Sequence, residues 1–140
     1  GILIQEKIEA KEFGMDILND FKSNYVDTFC REKLKMRSGE TDIAVSVIDE
    51  KMKEIGKIIG ENLKHIGNLD CDIFKKKNQY YVLELNPRFG GGYPFSHEAG
   101  INTAAIYLEW LKGIDDIKKY NNYKGGKMFS KCDRMLNIPN

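Results

Sequence analysis

Residues 84–92 read Glu84-Leu85-Asn86-Pro87-Arg88-Phe89-Gly90-Gly91-Gly92. Side chains alternate between the two faces of a strand, so a strand here sends Glu84, Asn86 and Arg88 to one face. Leu85 then faces the other way. A carboxylate, an amide oxygen and a guanidinium therefore line up just before three glycines, where a strand cannot persist. The pattern predicts a functional strand followed by a functional loop.

The side chains on this face suit a magnesium ion bound next to an anion. Mg²⁺ takes oxygen ligands and is commonly held by one or two carboxylates together with substrate phosphates. Glu84 and Asn86 supply such oxygens, and Arg88 adds a bidentate clamp for an anion. Each residue alone is typical of a solvated strand or a turn. Their alternation beside a glycine-rich segment favours a site.

A second carboxylate is expected from the preceding strand. Asp70 and Asp72 share strand parity, so both are candidates to lie beside Glu84. With a hairpin turn centred on Lys76 to Gln79, Asp72 falls close to cross-strand register with Glu84, and Asp70 falls roughly 6.6 Å further along the strand. Two metal ions held there would offset the phosphate charge that repels a nucleophile. We prefer Asp72 as the metal ligand and keep Asp70 as its rival.

The remaining pattern predicts an antiparallel sheet with helices packed on one side, in the α+β class. The runs that predict strands are Ile2–Ile8, Glu12–Leu18, Tyr25–Lys33, Ile43–Val47, Leu69–Phe74 and Tyr80–Leu85. No element is assigned to residues 121–140, which are polar and lack a clear period.

Two helices are predicted. The first begins at the N-cap Asp49, and apolar side chains recur at helical spacing as far as Ile66. The second begins at an N-cap formed by Asn102 or Thr103 and runs through Leu111.

Composition excludes several classes of protein. The chain has 140 residues, enough for one domain and too few for two. Its 22 Lys and Arg nearly balance its 21 Asp and Glu, so it lacks the basic field that non-specific nucleic-acid binding needs. No apolar run approaches the roughly 20 residues that cross a bilayer, and no signal peptide is recognised. We expect a cytoplasmic protein that binds neither nucleic acid nor membrane.

The cysteines suggest neither a disulfide framework nor a zinc site. Cys30, Cys71 and Cys132 are odd in number, widely spaced and without a C-x-x-C pair. Reduced thiols fit this pattern best.

Several motifs together resemble the C-terminal half of an ATP-grasp domain, and the closest similarity is to the large subunit of carbamoyl-phosphate synthase. The segments that carry the resemblance, in this order, are Gln5-Glu6-Lys7-Ile8, Lys11-Glu12-Phe13, Gly39-Glu40-Thr41-Asp42 and the stretch from Glu84 to Pro94. The resemblance covers about Ile2 to Gly113. It implies that residues 1–113 form this half domain, an antiparallel sheet flanked by helices, and that 114–140 is a tail of uncertain structure.

The resemblance implies a nucleotide site between two α+β subdomains. Adenine would be bonded by the backbone of Glu6, Lys7 and Ile8, and the ribose hydroxyls would be held by Glu12. The candidates for lining the triphosphate or the acceptor are Arg31, Lys33 and Arg37. The alternative for these three residues is a charged strand edge.

The resemblance also implies the metal and catalytic residues. Asp72, Glu84 and Asn86 would bind Mg²⁺, for which Mn²⁺ is an alternative. Arg88 would face the transferred phosphoryl group. Arg88, Glu84 and Asn86 are therefore the predicted catalytic residues.

The implied reaction is phosphoryl transfer from ATP to a carboxylate or bicarbonate. The resulting acyl phosphate would then be attacked by an amine or ammonia, a reaction that needs positioning and charge neutralisation rather than a protein nucleophile. In this family the N-terminal half covers the phosphates with a glycine-rich loop and lysines, and nothing upstream of Ile2 supplies them. We expect a fragment that is inactive alone and pairs with the missing half. The alternatives are a non-enzymatic nucleotide- or metal-binding module, or an oligomerisation domain that assembles as a homo-oligomer.

Overall fold

The computed structural model describes residues 1–2, 4–133 and 135–138. Its strands are β1 (Lys11–Asn19), β2 (Tyr25–Arg37), β3 (Glu40–Val47), β4 (Gly67–Lys76), β5 (Gln79–Asn86) and β6 (Met128–Ser130). Its helices are α1 (Glu50–Leu63), α2 (Tyr93–Glu98) and α3 (Thr103–Leu111), followed by a 3₁₀ turn at Lys118–Tyr120. In this part of the chain, no helix combines the length and the apolar character needed to cross a membrane.

The strands form one sheet in the order β5-β4-β1-β2-β3-β6, and every neighbouring pair is antiparallel. Strands β1 and β4 lie inside the sheet, while β5 and β6 form its edges. The predicted α+β class with an antiparallel sheet is confirmed.

Helices pack on both faces of the sheet, and β1 contributes apolar side chains to both of the resulting cores. Neighbouring residues of a strand point to opposite faces, and Ile17 and Leu18 are both fully buried. Ile17 packs in a core with Met52 of α1. Leu18 packs in a second core with Phe29 and Ile106 of α3. The prediction that the helices pack on one side was therefore wrong.

Helix α1 begins where the sequence predicts. The Asp49 carboxylate accepts a hydrogen bond at 3.1 Å from a backbone N–H in the first turn, which satisfies one of the free donors there. The helix ends at Leu63, because Lys64 adopts a left-handed conformation with φ 51°. Ile66 lies beyond this cap and is 62% exposed. The extension of the helical pattern to Ile66 was therefore wrong.

The predicted hairpin is formed by β4 and β5. Lys77 lies in its turn with a φ of 56°, which is left-handed. The register pairs Asp72 with Glu84 and Asp70 with Asn86, and a register shift follows Asp72 toward the turn. The expected cross-strand pairing of Asp72 with Glu84 is confirmed.

The two ends of the chain differ from the sequence prediction. Among the described residues of the segment Ile2–Ile8, which omit Leu3, there is no strand. A strand needs a neighbouring strand to bond its backbone N–H and C=O groups. In the sheet, β5 is an edge strand that pairs with β4 alone, so the described residues of the N-terminal segment do not pair with it. Near the other end, β6 pairs with β3, although no element was assigned there. Within the predicted tail, residues 134 and 139–140 lie outside the described residues.

Candidate functional site

The face of the sheet opposite α1 carries a polar cleft of about 260 Å³. Its charged lining is formed by Arg31, Lys33, Glu40, Asp70, Asp72, Glu84 and Arg88. Gly91 and Gly92 close one side of the cleft with little more than backbone. The cleft therefore brings together five of the predicted site residues, namely Arg31, Lys33, Asp72, Glu84 and Arg88.

Gly14 explains how Arg31 reaches across the sheet. Strand β1 lies between β2 and β4, and Gly14 pairs with Arg31 on one side and with Asp72 on the other. A Cβ atom at Gly14 would lie 2.8 Å from the Arg31 guanidinium carbon. The missing side chain leaves room for the guanidinium to extend over β1 toward Asp70 on β4.

Arg31 is the centre of a buried ion network. Its side chain is 1% exposed, and Nη1 lies 2.5 Å from Asp16 Oδ2 while Nη2 lies 3.2 Å from Asp70 Oδ1. Ser96 of α2 donates to the same Asp16 oxygen at 2.6 Å. Burial raises the pKa of Asp70, and the nearby Arg31 charge opposes that rise. The network joins three strands and α2 beneath the cleft.

The glycine-rich segment lies directly on this network. A Cβ atom at Gly90 would lie 2.1 Å from the carboxylate carbon of Asp70, and one at Gly92 would lie 2.3 Å from Arg31 Nε. A Cβ at Gly91, in contrast, would meet no atom of the described chain within 4 Å. Close approach is therefore the physical reason for glycine at the first and third positions of this triplet.

Lys33 joins two of the predicted ligand-binding carboxylates. Its Nζ lies 2.7 Å from Glu12 Oε1 and 2.7 Å from Asp72 Oδ2. Glu12 is the carboxylate expected to hold ribose, and Asp72 is the one expected to hold the metal. The carboxylate predicted to bind the nucleotide and the carboxylate predicted to bind the metal therefore contact the same Lys33 ammonium.

Glu84 and Asn86 complete the predicted metal ligands on β5. The Asn86 amide nitrogen donates to Glu84 Oε1 at 3.1 Å, and Glu84 pairs across the strands with Asp72. Within the described ranges, no three His, Cys, Asp or Glu side chains converge on one point, and the third predicted ligand here is an amide. Two carboxylates and an amide oxygen are a donor set that suits Mg²⁺.

Arg88 lies beyond the end of β5 at the mouth of the cleft. Its Nη1 donates to the Phe89 carbonyl at 3.0 Å and lies 3.7 Å from Asp70 Oδ2. Asp70 therefore contacts the buried Arg31 and the more exposed Arg88 at the same time. The Asp72 carboxylate is likewise held by a cation, the Lys33 ammonium.

The family described as "ATP-grasp in the biosynthetic pathway with Ter operon" matches residues 1–129. The chain belongs to the ATP-grasp superfamily. Members of this superfamily are ligases that generally bind ATP and Mg²⁺. The resemblance of the sequence to the C-terminal half of an ATP-grasp domain is thereby confirmed.

Two solved structures of a threonine-to-alanine variant of Rhizobium etli pyruvate carboxylase share the fold of this ATP-grasp chain. One contains the allosteric activator acetyl coenzyme A and is 18% identical, with a TM-score of 0.63 over 85% of this chain. The other was crystallised without acetyl coenzyme A and is 16% identical, with a TM-score of 0.64 over 85% of this chain. The match covers 12% and 13% of those chains, so the similarity shows the fold of one part of a much longer protein.

The segment expected to bind adenine borders a second cavity. Glu6 and Ile8 line this cavity of about 250 Å³ together with Phe74, Val82 and Leu83. Lys7 is not among the described residues that line it. The adenine role of Glu6, Lys7 and Ile8 stays a prediction of the ATP-grasp resemblance.

Arg37 lies outside the cleft. Its side chain is half exposed, and its guanidinium pairs with Asp42 at 3.2 Å and with Asp133 at 2.9 Å. A role for Arg37 toward the triphosphate or the acceptor stays a prediction. Arg31 and Lys33 lie on β2, which is an interior strand, so neither is at a strand edge.

Sequence reasoning missed Asp16 and Ser96, which hold Arg31 from below. One signal pointed to Asp16, because it lies between the apolar residues Met15 and Ile17 in a predicted strand. A carboxylate buried among apolar residues needs a charged or hydrogen-bonding partner. Ser96 carries no comparable signal, since a single serine after a glycine-rich loop is ordinary.

Proposed function

We propose that this chain is the ATP- and Mg²⁺-binding C-terminal half of an ATP-grasp ligase of the carbamoyl-phosphate-synthase type. The ligase would phosphorylate a carboxylate or bicarbonate to an acyl phosphate and join it to an amine or ammonia. The observation that carries the proposal is the cross-strand pairing of Asp72 with Glu84 in a cleft that also contains Lys33 and Arg88.

The residues present fit the metal that this function requires. Asp72, Glu84 and Asn86 would hold Mg²⁺, with Mn²⁺ as a substitute, through carboxylate and amide oxygens. The bound metal would supply neutralisation of the triphosphate charge and orientation of its oxygens.

The cations of the cleft would bind the phosphates. Arg88 is half exposed at the cleft mouth, where its planar guanidinium can take two phosphate oxygens at once. Lys33 lies deeper and offers a single ammonium. Phosphoryl transfer depends on positioning and on such charge stabilisation, so this set of groups suits the reaction.

Two of the three cysteines are poorly suited to act as a nucleophile. Cys30 and Cys71 are both buried in the core beneath α1. Burial raises the pKa of each thiol to about 12. Since the thiolate is the reactive form, neither cysteine is available for attack near neutral pH.

The second cavity supports the proposal that adenine binds beside Glu6, Lys7 and Ile8. Phe74, Val82 and Leu83 give it an apolar wall beside Glu6 and Ile8. A flat aromatic base buries apolar surface against such a wall, while backbone groups of the adjoining segment bond its edge. Glu12 belongs to the strand that follows this segment and would hold the ribose.

Calorimetry of MgATP binding tests the proposal on this chain. We expect weak binding, because the chain would supply one wall of a cleft that two half domains form. Asp72→Asn and Glu84→Gln should each lower the affinity by at least about tenfold, because each removes a charged oxygen ligand. Asp70→Asn should leave the Mg²⁺ dependence nearly unchanged. Glu61→Gln, an equal change of charge on α1, is the control.

Two results would contradict this proposal. One is ATP binding of the wild-type chain that does not depend on Mg²⁺. The other is an affinity of Asp72→Asn and Glu84→Gln equal to that of Glu61→Gln. Submicromolar binding by the chain alone would contradict the half-cleft argument, since about 8 kcal/mol would then come from one wall.

A further inference from the structure

Lys33 makes an unusual pair of contacts for a residue at a predicted metal site. Its side chain is only 7% exposed, and its Nζ lies 2.7 Å from Asp72 Oδ2 and 2.7 Å from Glu12 Oε1. The contact with Glu12 is a short charge-assisted hydrogen bond, and the contact with Asp72 is an ion pair of the same length. The ammonium therefore neutralises one of the carboxylates that the metal would use.

The position of Glu84 explains why Asp72 needs a cation. Asp72 and Glu84 are direct neighbours across β4 and β5. Like charges directly opposite each other on two strands destabilise the sheet. Glu84 makes its own contact with the Asn86 amide, so Lys33 is the group that compensates Asp72.

We propose that Lys33 is an internal counter-cation of the metal site, which holds Asp72 until a divalent cation displaces its ammonium. This proposal rests on the assignment of Asp72 as a metal ligand. A metal ion and the Lys33 ammonium compete for the same carboxylate, and two cations close together repel each other. The Lys33 ammonium thus lowers the affinity of the chain for a divalent cation.

The same ammonium also connects the metal to the nucleotide. Because Lys33 holds Glu12 as well as Asp72, its displacement frees the carboxylate expected to hold ribose. The displaced ammonium can then turn to the phosphate oxygens of the nucleotide. Nucleotide and metal therefore favour each other's binding through one side chain.

Titration of the chain with Mn²⁺ in the absence of nucleotide tests the proposal, with free Mn²⁺ followed by electron paramagnetic resonance. Lys33→Met should bind Mn²⁺ at least about tenfold more tightly than the wild-type chain, because the competing charge is gone and Asp72 is free. Lys33→Gln, which keeps hydrogen-bond donors without the charge, should change the affinity in the same direction. It also serves as the second variant if Lys33→Met does not fold.

Lys35→Met is the matched control. Lys35 lies on the same strand and carries the same charge, but its side chain is 63% exposed and its Nζ lies 3.6 Å from Asp42. Its removal should change the Mn²⁺ affinity by less than about twofold, because exposed charges are screened by solvent and salt.

Asp72→Asn separates a failure of this proposal from a failure of the proposed function. If Asp72→Asn weakens Mn²⁺ binding while Lys33→Met and Lys33→Gln bind no more tightly than wild type, the metal site stands and the counter-cation role of Lys33 is overturned. If Asp72→Asn binds Mn²⁺ as the wild type does, or if no variant binds it, the metal assignment itself fails and the Lys33 proposal fails with it.

Discussion

Asp16 and Arg31 form an ion pair that is almost completely removed from water, with their charged atoms 2.5 Å apart. Removing one partner of such a pair costs about 3–5 kcal/mol, yet replacing the whole pair by apolar residues is often neutral. The pair is therefore weak evidence for stability. The pair matters more because it positions side chains of the cleft. Arg31 holds Asp70, and Asp70 in turn contacts Arg88 at the cleft mouth.

The buried histidine predicts how stability depends on pH. His65 Nε2 lies 3.2 Å from the Ile17 carbonyl, and Nδ1 has no hydrogen-bond partner among the described residues. Burial lowers the pKa of His65 below 6.5, against the opposing effect of its hydrogen bond with the Ile17 backbone carbonyl. Between the folded pKa and 6.5 the unfolded chain binds more protons. The free energy of unfolding should therefore rise with pH in this window and fall as the pH drops through it.

Urea unfolding at several pH values between about 5 and about 7 measures this slope. We expect His65→Gln to be less stable but to show a flatter dependence on pH than the wild-type chain. His97→Gln, which removes the exposed histidine of α2, should keep the wild-type slope. Equal slopes for His65→Gln and the wild-type chain would disprove the role of His65.

At the scale of elements, the glycine-rich segment can be tested by a matched pair of substitutions. Gly90→Ala places a Cβ 2.1 Å from the Asp70 carboxylate carbon, whereas Gly91→Ala meets no described atom within 4 Å. We expect Gly90→Ala to lower the free energy of unfolding by about 1–3 kcal/mol, the usual cost of overpacking. Gly91→Ala should change it by less than about 1 kcal/mol and can be stabilising, because alanine restricts the unfolded chain. Equal losses, measured by urea unfolding, would show that close packing is not the reason for these glycines.

Elements with a strong local pattern could be predicted from the sequence. The hairpin of β4 and β5 follows from two alternating runs around a short polar turn, and α1 follows from an N-cap and a helical period. Strand β6 has only three residues, and its conformation depends on pairing with β3, which no local pattern reveals. Helix α2 follows glycines and contains Pro94 in its first turn, so its local signal is weak. The described residues of the run Ile2–Ile8, which omit Leu3, show the opposite case, because alternation without a neighbouring strand does not make a strand.

In the candidate site too, contacts within one hairpin could be predicted from the sequence, whereas contacts between distant segments could not. Cross-strand register in one hairpin brings Asp72 beside Glu84, so this part of the site could be predicted by counting residues. The burial of Arg31 depends on the missing side chain of Gly14 and on its contacts with Asp16 of β1 and Ser96 of α2. These contacts join segments distant in sequence, and a single sequence does not show them.

At the scale of the whole molecule, the two faces of the sheet differ in their side chains and therefore in their roles. The face under α1 is an apolar core. The other face is apolar under α3 and charged in the cleft. Rigid strands thus hold the charged groups, while the glycine-rich segment gives a ligand access to backbone on one side. This arrangement suits a site that must hold a metal and a triphosphate in fixed positions.

The most direct test of the metal and nucleotide site is the paramagnetic broadening that Mn²⁺ with ATP causes in the amide spectrum of the chain, with Mg²⁺ and ATP as the diamagnetic reference. We expect the broadening to centre on Asp72 and Glu84 in β4 and β5 and to extend to Lys33 on β2. Signals of α1, which lies behind the sheet, should remain sharp. Broadening centred on α1 or on the cavity lined by Phe21 and Trp110, or the absence of broadening at saturating Mn²⁺ and ATP, would contradict this expectation.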